Sequence, residues 1–210
     1  MEIKKIANNV LIFGIKRFIE IFGVCIVVIG VLLLISLNSF SPDDPNFIFP
    51  DNTQIKNLLG YRGSFLADLF FQSFGLISLL IPFSLIFTGT NIILNKKIFL
   101  IIESNFFTTL YLMCGSLFFS VFYKNYFELY INGNGGFVGK YLESNFLSPL
   151  ISFNSQVAYY LLLLLILIFF LITIQFKISF FYLFIKKIFK FLFLTKQKSY
   201  TNENEIINEF

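Results

Sequence analysis

The 210-residue sequence contains no histidine and no tryptophan, and it has only two cysteines. The lack of histidine excludes histidine metal sites, Ser-His and Cys-His catalysis, and pH switching by an imidazole. Cys25 and Cys114 each lie inside an apolar run, so we interpret them as packing residues rather than a disulfide or a metal pair. The sequence predicts no catalytic residue, no metal and no cofactor.

Charge is also scarce. Charged residues make up 13% of the chain against 57% apolar residues, and the mean hydropathy is +0.80. This composition is typical of an integral membrane protein. Runs close to the ~20 apolar residues that a crossing helix needs predict an all-α integral membrane fold with four transmembrane helices, at 18–37, 65–94, 106–123 and 153–174.

The basic residues are unevenly distributed over this topology. Twelve of the 16 fall in the N-terminus (1–17), in the connection after the second span, or after the fourth span. The other four fall in the loops 38–64 and 124–152. The positive-inside rule therefore places both termini in the cytoplasm and these two loops outside.

The segment 176–194 is long enough to span a membrane, but Lys186, Lys187 and Lys190 stand in its second half. The cost of burying these lysines roughly cancels the gain from its large apolar residues. We favour a basic amphipathic helix on the inner leaflet, with the lysines facing lipid headgroups, over a fifth span. The polar residues 195–210 are expected to be disordered or to begin a linker.

The first loop is rich in turn residues. Asp43 and Asp44 stand between two prolines that exclude helix. Because no further oxygen ligands accompany them, a solvated turn is favoured over calcium binding or acid–base chemistry. Further on, Asn57, Gly60 and Gly63 predict a tight bend.

The second span is expected to begin at an N-cap, Ser64, with Asp68 about one turn inside, near the positive end of the helix dipole. Pro82 is the expected position of a kink, because it removes a backbone donor. A stripe at helical spacing comprises Asp68, Gln72, Gly75, Leu79 and Pro82. This small and polar stripe is expected to face other helices rather than to line a transport path.

Gly23 and Gly30 lie seven residues apart on one face of the first span, where a neighbouring helix can approach closely. Gly115, Ser116 and Ser120 offer a similar face on the third span.

The second loop contains the sequence Gly133-Asn-Gly-Gly-Phe-Val-Gly-Lys-Tyr141, which superficially resembles a phosphate-binding loop. Asn134 stands where that motif needs glycine, and Tyr141 stands where it needs serine or threonine for magnesium. We therefore predict no ATP binding. Gly135, Gly136 and Gly139 remain candidate structural or interaction residues.

The order S-F-S-P-D-D-P (39–45), N-L-L-G-x-x-G (57–63), L-A-D-L (66–69), F-G and then a proline inside the second span resembles the amino-terminal membrane region of the FtsK/SpoIIIE DNA translocases. The glycines 135, 136 and 139 resemble that family's second loop. The resemblance covers residues 15–175. The glycines expected before the fourth span are replaced by residues 154–157.

This resemblance implies a membrane anchor that targets a division-site DNA translocase to the septum of the bacterial inner membrane. It also implies contacts with division-site envelope proteins and self-association. The family's ATPase motor is a separate domain that this sequence does not include, and direct DNA binding by this segment is not expected. The alternative is a small multi-span transporter or channel component, for which Pro82 is the one sequence feature. An intramembrane enzyme would need paired acids, Ser-His or metal ligands within the spans.

Overall fold

The computed structural model describes residues 2–45, 54–124, 132–147, 154–176 and 186–187. Within these ranges every regular element is helical. The elements are α1 Glu2–Asn38, α2 Gly60–Phe74, a 3₁₀ segment Gly75–Leu80, α3 Ile81–Asn95, α4 Leu100–Phe122, α5 Gly136–Leu142, a π-helical turn Glu143–Leu147 and α6 Ser155–Thr173.

Four segments are long and apolar enough to cross a membrane: Asn8–Asn38, Gly60–Asn95, Leu100–Phe122 and Ser155–Thr173. These segments confirm the predicted all-α membrane fold with four apolar helices. Helices suit the hydrocarbon because they satisfy every backbone donor and acceptor internally. The basic N-terminus predicted ahead of the first span is the beginning of the same helix, α1, which at 37 residues is about 55 Å long.

Glycines bring α1 and α3 into close contact. A Cβ on Gly23 would come 2.7 Å from Ile93 Cγ1, and one on Gly30 would come 2.9 Å from Ile86 Cγ1. The predicted glycine face of the first span therefore packs directly against α3. Gly89 completes the contact from the α3 side, since its Cβ would come 2.7 Å from the Gly23 carbonyl oxygen.

Buried hydroxyl groups join α3, α4 and α6. Ser84 Oγ and Tyr111 OH are 2.8 Å apart, and the hydroxyls of Thr88 and Ser104 are hydrogen-bonded to each other. Ser104 Oγ also lies 3.5 Å from the carbonyl oxygen of Thr173. Because each hydroxyl has a partner, these polar groups hold helices together within an apolar interior.

The α-helix of the second apolar segment is interrupted before Pro82, the residue at which the sequence predicted a kink. The break is the 3₁₀ segment Gly75–Leu80, which begins at Gly75 with φ +72° and ψ −150°. Pro82 instead lies fully buried in the first turn of α3, where the missing N–H would have no helical partner in any case. The expectation of a kink at Pro82 was therefore wrong, because a glycine with positive φ makes the turn.

The start of the second segment also differs from the prediction. Helix α2 begins at Gly60 after Leu59, and Ser64 is not its N-cap. The Ser64 hydroxyl donates instead to the carbonyl oxygen of Pro45, at 2.9 Å. Asp68 is consequently more than two turns inside the helix, too far from its N-terminus for the predicted dipole interaction.

We call the end of the bundle that carries residues 38–45, 54–60 and 132–147 the loop end, and the opposite end, with Lys16, Arg17, Lys96 and Lys97, the lysine end. Residues 176–210 form a separate compact unit. Of that unit's basic residues the structure describes Lys186 and Lys187, which are helical and exposed. The predictions for the rest of 176–194, including Lys190, and for 195–210 fall outside the described residues.

Candidate functional site at the loop end

Asp44 holds the first loop together. Its carboxylate oxygens accept hydrogen bonds from the backbone N–H groups of Lys56 and Asn57, at 2.7 and 2.8 Å. The residue is only 3% exposed. A buried carboxylate needs such donors, because leaving it unpaired is strongly unfavourable. The predicted solvated turn is therefore correct for one aspartate of the pair but not for Asp44.

Asp43, its neighbour, faces solvent. Its side chain is 72% exposed and lies 2.7 Å from Lys56 Nζ. The hydrogen bond from Lys56 to Asp43 raises the pKa of the lysine. An ion pair this exposed contributes little to stability, so Asp43 belongs to the surface of the loop and Asp44 to its interior.

Asn57 joins this loop to the end of α1. Its Nδ2 donates to the carbonyl oxygens of Ser36 and Ser39, at 2.9 and 3.3 Å, and its Oδ1 accepts from the N–H of Leu59. A Cβ at Gly63 would overlap Asn57 Oδ1. The Gly63 carbonyl oxygen in turn accepts from Ser36 Oγ at 2.6 Å. Gly60, at φ +66°, makes the turn between Asn57 and α2. The structure thus brings Asp43, Asp44, Asn57, Gly60 and Gly63 into one cluster.

The second loop is inserted into the break after α2. The N–H of Leu76 donates to the carbonyl oxygen of Asn134 at 2.9 Å, and a Cβ on Gly75 would overlap that same oxygen. A Cβ on Gly136 would come 2.5 Å from the Gly75 nitrogen. Glycine is therefore required on both sides of this contact.

Two further glycines allow the second loop to pack closely against α4. A Cβ on Gly135 would come 2.6 Å from Ser120 Cβ, and one on Gly139 would come 2.7 Å from the carbonyl carbon of Ser116. Ser116 Oγ also donates to the carbonyl oxygen of Phe74 at 2.8 Å. The small residues predicted on the third span therefore contact the second loop. Gly75, Gly135, Gly136 and Gly139 form a second cluster.

Several polar residues of this cluster were not identified from the sequence. Asn134 is 2% exposed and donates to the carbonyl oxygen of Tyr123. Glu143 accepts from Ser120 Oγ at 2.5 Å and pairs with Lys124. The sequence marked Asn134 only as a mismatch to a phosphate-binding loop, and Glu143 belongs to no motif, so only the fold reveals their contacts.

Asp68 and Gln72 lie where α2 meets the second loop. Gln72 Nε2 is 3.5 Å from Asp68 Oδ1, and Gln72 Oε1 accepts from the N–H of Asn132 at 3.2 Å. Asp68 is buried. This part of the predicted stripe faces protein, as expected, and Pro82 is buried further along it.

The geometry of the loop end offers a surface rather than a reaction centre. Among the described residues no three His, Cys, Asp or Glu side chains converge to hold a metal ion. The second loop presents a shallow open groove lined by Phe137, Lys140, Tyr141, Glu143 and Ser144. The rings of Phe137 and Tyr141 stack with centroids 6.2 Å apart, and both residues are exposed.

These features define a membrane domain with four apolar helices whose two loops are fixed to one end of the bundle. The chain belongs to the family described as the 4TM region of DNA translocase FtsK/SpoIIIE, whose model matches residues 15–187. The match confirms the resemblance stated above. It concerns the membrane region of that family and not its motor, and nothing in this chain shows catalytic activity. No solved structure matches the chain.

Three relatives named DNA translocase FtsK illustrate the similarity. The protein of Rickettsia bellii is 27% identical over 186 residues, which is 87% of this chain and 24% of the relative. That of Rickettsia prowazekii is 35% identical over 72 residues, 34% of this chain and 10% of the relative. That of Azospirillum brasilense is 32% identical over 88 residues, 41% of this chain and 14% of the relative. The chain therefore spans a quarter or less of the length of these relatives.

Proposed function

We propose that this chain is the membrane anchor and septum-targeting module of an FtsK-like cell-division DNA translocase that acts in chromosome segregation. Family membership and the four apolar helices support the anchor. The loop end supports the targeting role, because a passive anchor would need only flexible connections between its spans.

The observation that carries the proposal is the rigid attachment of both loops. The buried Asp44 and Asn57 hold the first loop on α1, and the Gly75–Asn134 contact holds the second loop on α2. Side chains carried by these fixed segments, among them Asp43 and Phe137, keep their positions before a partner arrives. A preorganised surface loses little conformational entropy on binding, so it suits recognition of division-site envelope proteins.

The test uses a fluorescent fusion of residues 1–210 without a motor. We expect the fusion to concentrate at the division site. Replacing exposed loop-end residues together (Asp43→Ala, Phe137→Ala and Tyr141→Ala) should spread the signal around the envelope while leaving insertion intact. The matched control carries Lys97→Ala and Phe99→Ala, two exposed residues at the lysine end, and should localise as the parent does. Uniform fluorescence from the unaltered chain would leave an anchor without a targeting role.

We also propose that both termini face the cytoplasm, as the distribution of lysine and arginine predicts. Reporter fusions at Asn52 and Asn134 should then report external positions, and fusions after Lys97 and Lys198 internal ones. An external signal at Lys198 would instead favour a fifth span within 176–194.

Self-association and lipid contact complete the proposal. Helix α6 carries exposed apolar side chains such as Leu161, Leu164 and Ile168, which suit lipid or a second copy of the chain. We propose that copies associate through this helix, and that the segment binds no DNA itself. Cross-linking between copies that carry Leu164→Cys in membranes, with Phe83→Cys on α3 as the control, tests the assignment to α6.

The transporter alternative receives less support. Ser84, Thr88 and Ser104 lie buried within the helices, but each is hydrogen-bonded to another buried residue. Such pairs are the usual means of joining helices inside a membrane.

A further inference from the structure

Two contacts near the lysine end show which residues of α1 and α4 lie at the same position along the bundle axis. We call this position the height. A Cβ on Gly23 of α1 would come 3.0 Å from the carbonyl oxygen of Gly89 on α3. Thr88, the residue before Gly89, is hydrogen-bonded to Ser104 of α4. Gly23 and Ser104 therefore lie at nearly the same height in the bundle.

From this height α1 and α4 both run toward the loop end. Ser36 follows Gly23 by 13 residues, and Ser116 follows Ser104 by 12. At 1.5 Å per residue these separations correspond to about 20 Å and about 18 Å. Ser36 and Ser116 are therefore again at nearly the same height.

Both ends of α2 are held at this second height. Ser36 Oγ donates to the Gly63 carbonyl oxygen near the start of α2, and Ser116 Oγ donates to that of Phe74 at its end. If α2 continued the direction of α3, Gly63 would lie about 16 Å beyond Phe74. That position is well past the last residue of α1, and the contact with Ser36 excludes it.

The backbone after α2 supports the same geometry. Gly75 adopts φ +72° and ψ −150°, which turns the chain sharply between α2 and the 3₁₀ segment. The Phe71 ring, late in α2, lies 4.8 Å from the ring of Phe40, just beyond the end of α1. Helix α2 thus runs across the end of the bundle.

The outward face of α2 is mainly apolar. Gly63, Ala67 and Phe71 are buried against the bundle, whereas Tyr61, Leu66 and Leu69 are exposed. At the same end of the bundle α6 exposes Val157, next to the Tyr159–Tyr123 contact with α4. The exposed side of α2 therefore continues the apolar surface that the spans present to lipid.

We propose that α2 does not cross the membrane but lies along its surface at the loop end. Leu66 and Leu69 enter the acyl chains, Arg62 lies among the headgroups, and the second crossing is made by residues 75–95 alone. With rises of about 2.0 Å per residue in the 3₁₀ segment and about 1.5 Å in α3, that crossing is about 34 Å long. A typical hydrocarbon core is ~30 Å thick. The partner of this face is the lipid of one leaflet, which is the outer leaflet under the predicted orientation.

Depth measurements with nitroxide labels test this placement. The free residues Cys25 and Cys114 are first replaced by alanine. Single cysteines are then introduced along one stripe of α2, at Arg62, Leu66, Leu69 and Ser73, and labelled in lipid vesicles. The control set on α3 has the same spacing and comprises Phe83, Phe87, Thr90 and Leu94. Relative access to oxygen and to a water-soluble relaxation agent gives the depth of each label.

We expect the four α2 labels to lie at one shallow depth, within a few ångströms of each other. The α3 labels should pass through the bilayer centre, since their ends are about 16 Å apart along the helix. A progressive change of 10 Å or more across the α2 labels would overturn the proposal. As a second measurement, Phe40→Cys and Phe71→Cys should be joined by a short bifunctional thiol reagent in membranes, and failure to cross-link them would contradict the lateral path of α2.

Discussion

The two ends of the bundle are built from different interactions. At the loop end, buried polar groups such as Asp44, Asn57 and Asn134 each bind specific backbone atoms. At the lysine end, Glu20 pairs with Arg17 and with Lys96 at side chains that are partly open to solvent. There α1 also exposes large apolar side chains, including Phe13, whose ring contacts the Arg17 guanidinium. Stability at the loop end should therefore depend on single buried polar residues, whereas no single charged residue at the lysine end should contribute much.

The largest effect is expected at Gly75. The change Gly75→Ala places a Cβ on the Asn134 carbonyl oxygen and forces alanine to adopt positive φ, so we expect a loss of about 3 kcal/mol or more. Gly133→Ala is the matched control, because Gly133 also has positive φ (+67°) but has open space around it. That variant should lose only about 1–2 kcal/mol. Unfolding of both variants by SDS titration from mild detergent gives the comparison, and equal losses would show that the contact with the second loop contributes nothing.

Asp44 should come next. Asp44→Ala leaves two N–H groups, the buried one of Asn57 and the partly buried one of Lys56, without their charged acceptor, and we expect a loss of about 2–3 kcal/mol. Asp43→Ala, one residue away, removes only an exposed ion pair and should lose less than about 1 kcal/mol. Protease cleavage of the first loop should increase for the first variant alone. Similar behaviour of the two variants would contradict the buried role assigned to Asp44.

The substitution Gly23→Ala tests the close packing of α1 against α3. Gly23→Ala pushes a Cβ against Ile93 and the Gly89 carbonyl oxygen, so a loss of about 1–3 kcal/mol is expected. Gly14→Ala, in the same helix but with nothing within 4 Å of its Cβ, should be neutral or stabilising by up to about 1 kcal/mol because alanine favours helix. Opposite signs in the same unfolding assay would support the assignment, and a stabilising Gly23→Ala would contradict it.

The smallest effect is expected at the lysine end. Glu20→Gln removes the charge that pairs with Arg17 and Lys96, and the loss should stay at or below about 1 kcal/mol. The control Glu103→Gln alters an exposed acid in the first turn of α4. A loss at Glu20 as large as that at Asp44 would remove the distinction between the two ends.

The sequence could predict the apolar helices because each is a long run with few charges, and length alone identifies such runs. It could not distinguish Asp43 from Asp44. Adjacent residues of one type carry the same local signal, and only the position of Lys56 and Asn57 makes one of them buried. The candidate residues of the first loop do lie together in the structure, but the different contacts of Asp43 and Asp44 could be read only from the fold.

The turn at Gly75, which we call the corner, could not be predicted from the sequence for a different reason. Residues 65–94 form one nearly continuous apolar run, so hydropathy contains no sign that the chain turns within it. Pro82 offered the stronger local signal, yet proline fits the first turn of a helix without distortion. The deciding contact is with Asn134, and no periodicity relates residues so far apart.

The contact between the second loop and the corner has a consequence for the order of events during synthesis. The hydrogen bonds of the first loop join residues within about 30 positions of each other, such as Ser36 and Gly63 at a separation of 27. The hydrogen bonds that Asn132 donates to Gln72 span 60 positions. The emerging chain can therefore close the first loop while the ribosome is still producing α3, but the corner has no partner until α4 and the residues after it have followed. Until then the bent form of Gly60–Asn95 is held only by contacts with α1 and the residues just after it, such as Ser36 with Gly63 and Phe40 with Phe71. The second loop, the later of the two loops to be synthesised, thus completes the shape of the second apolar segment.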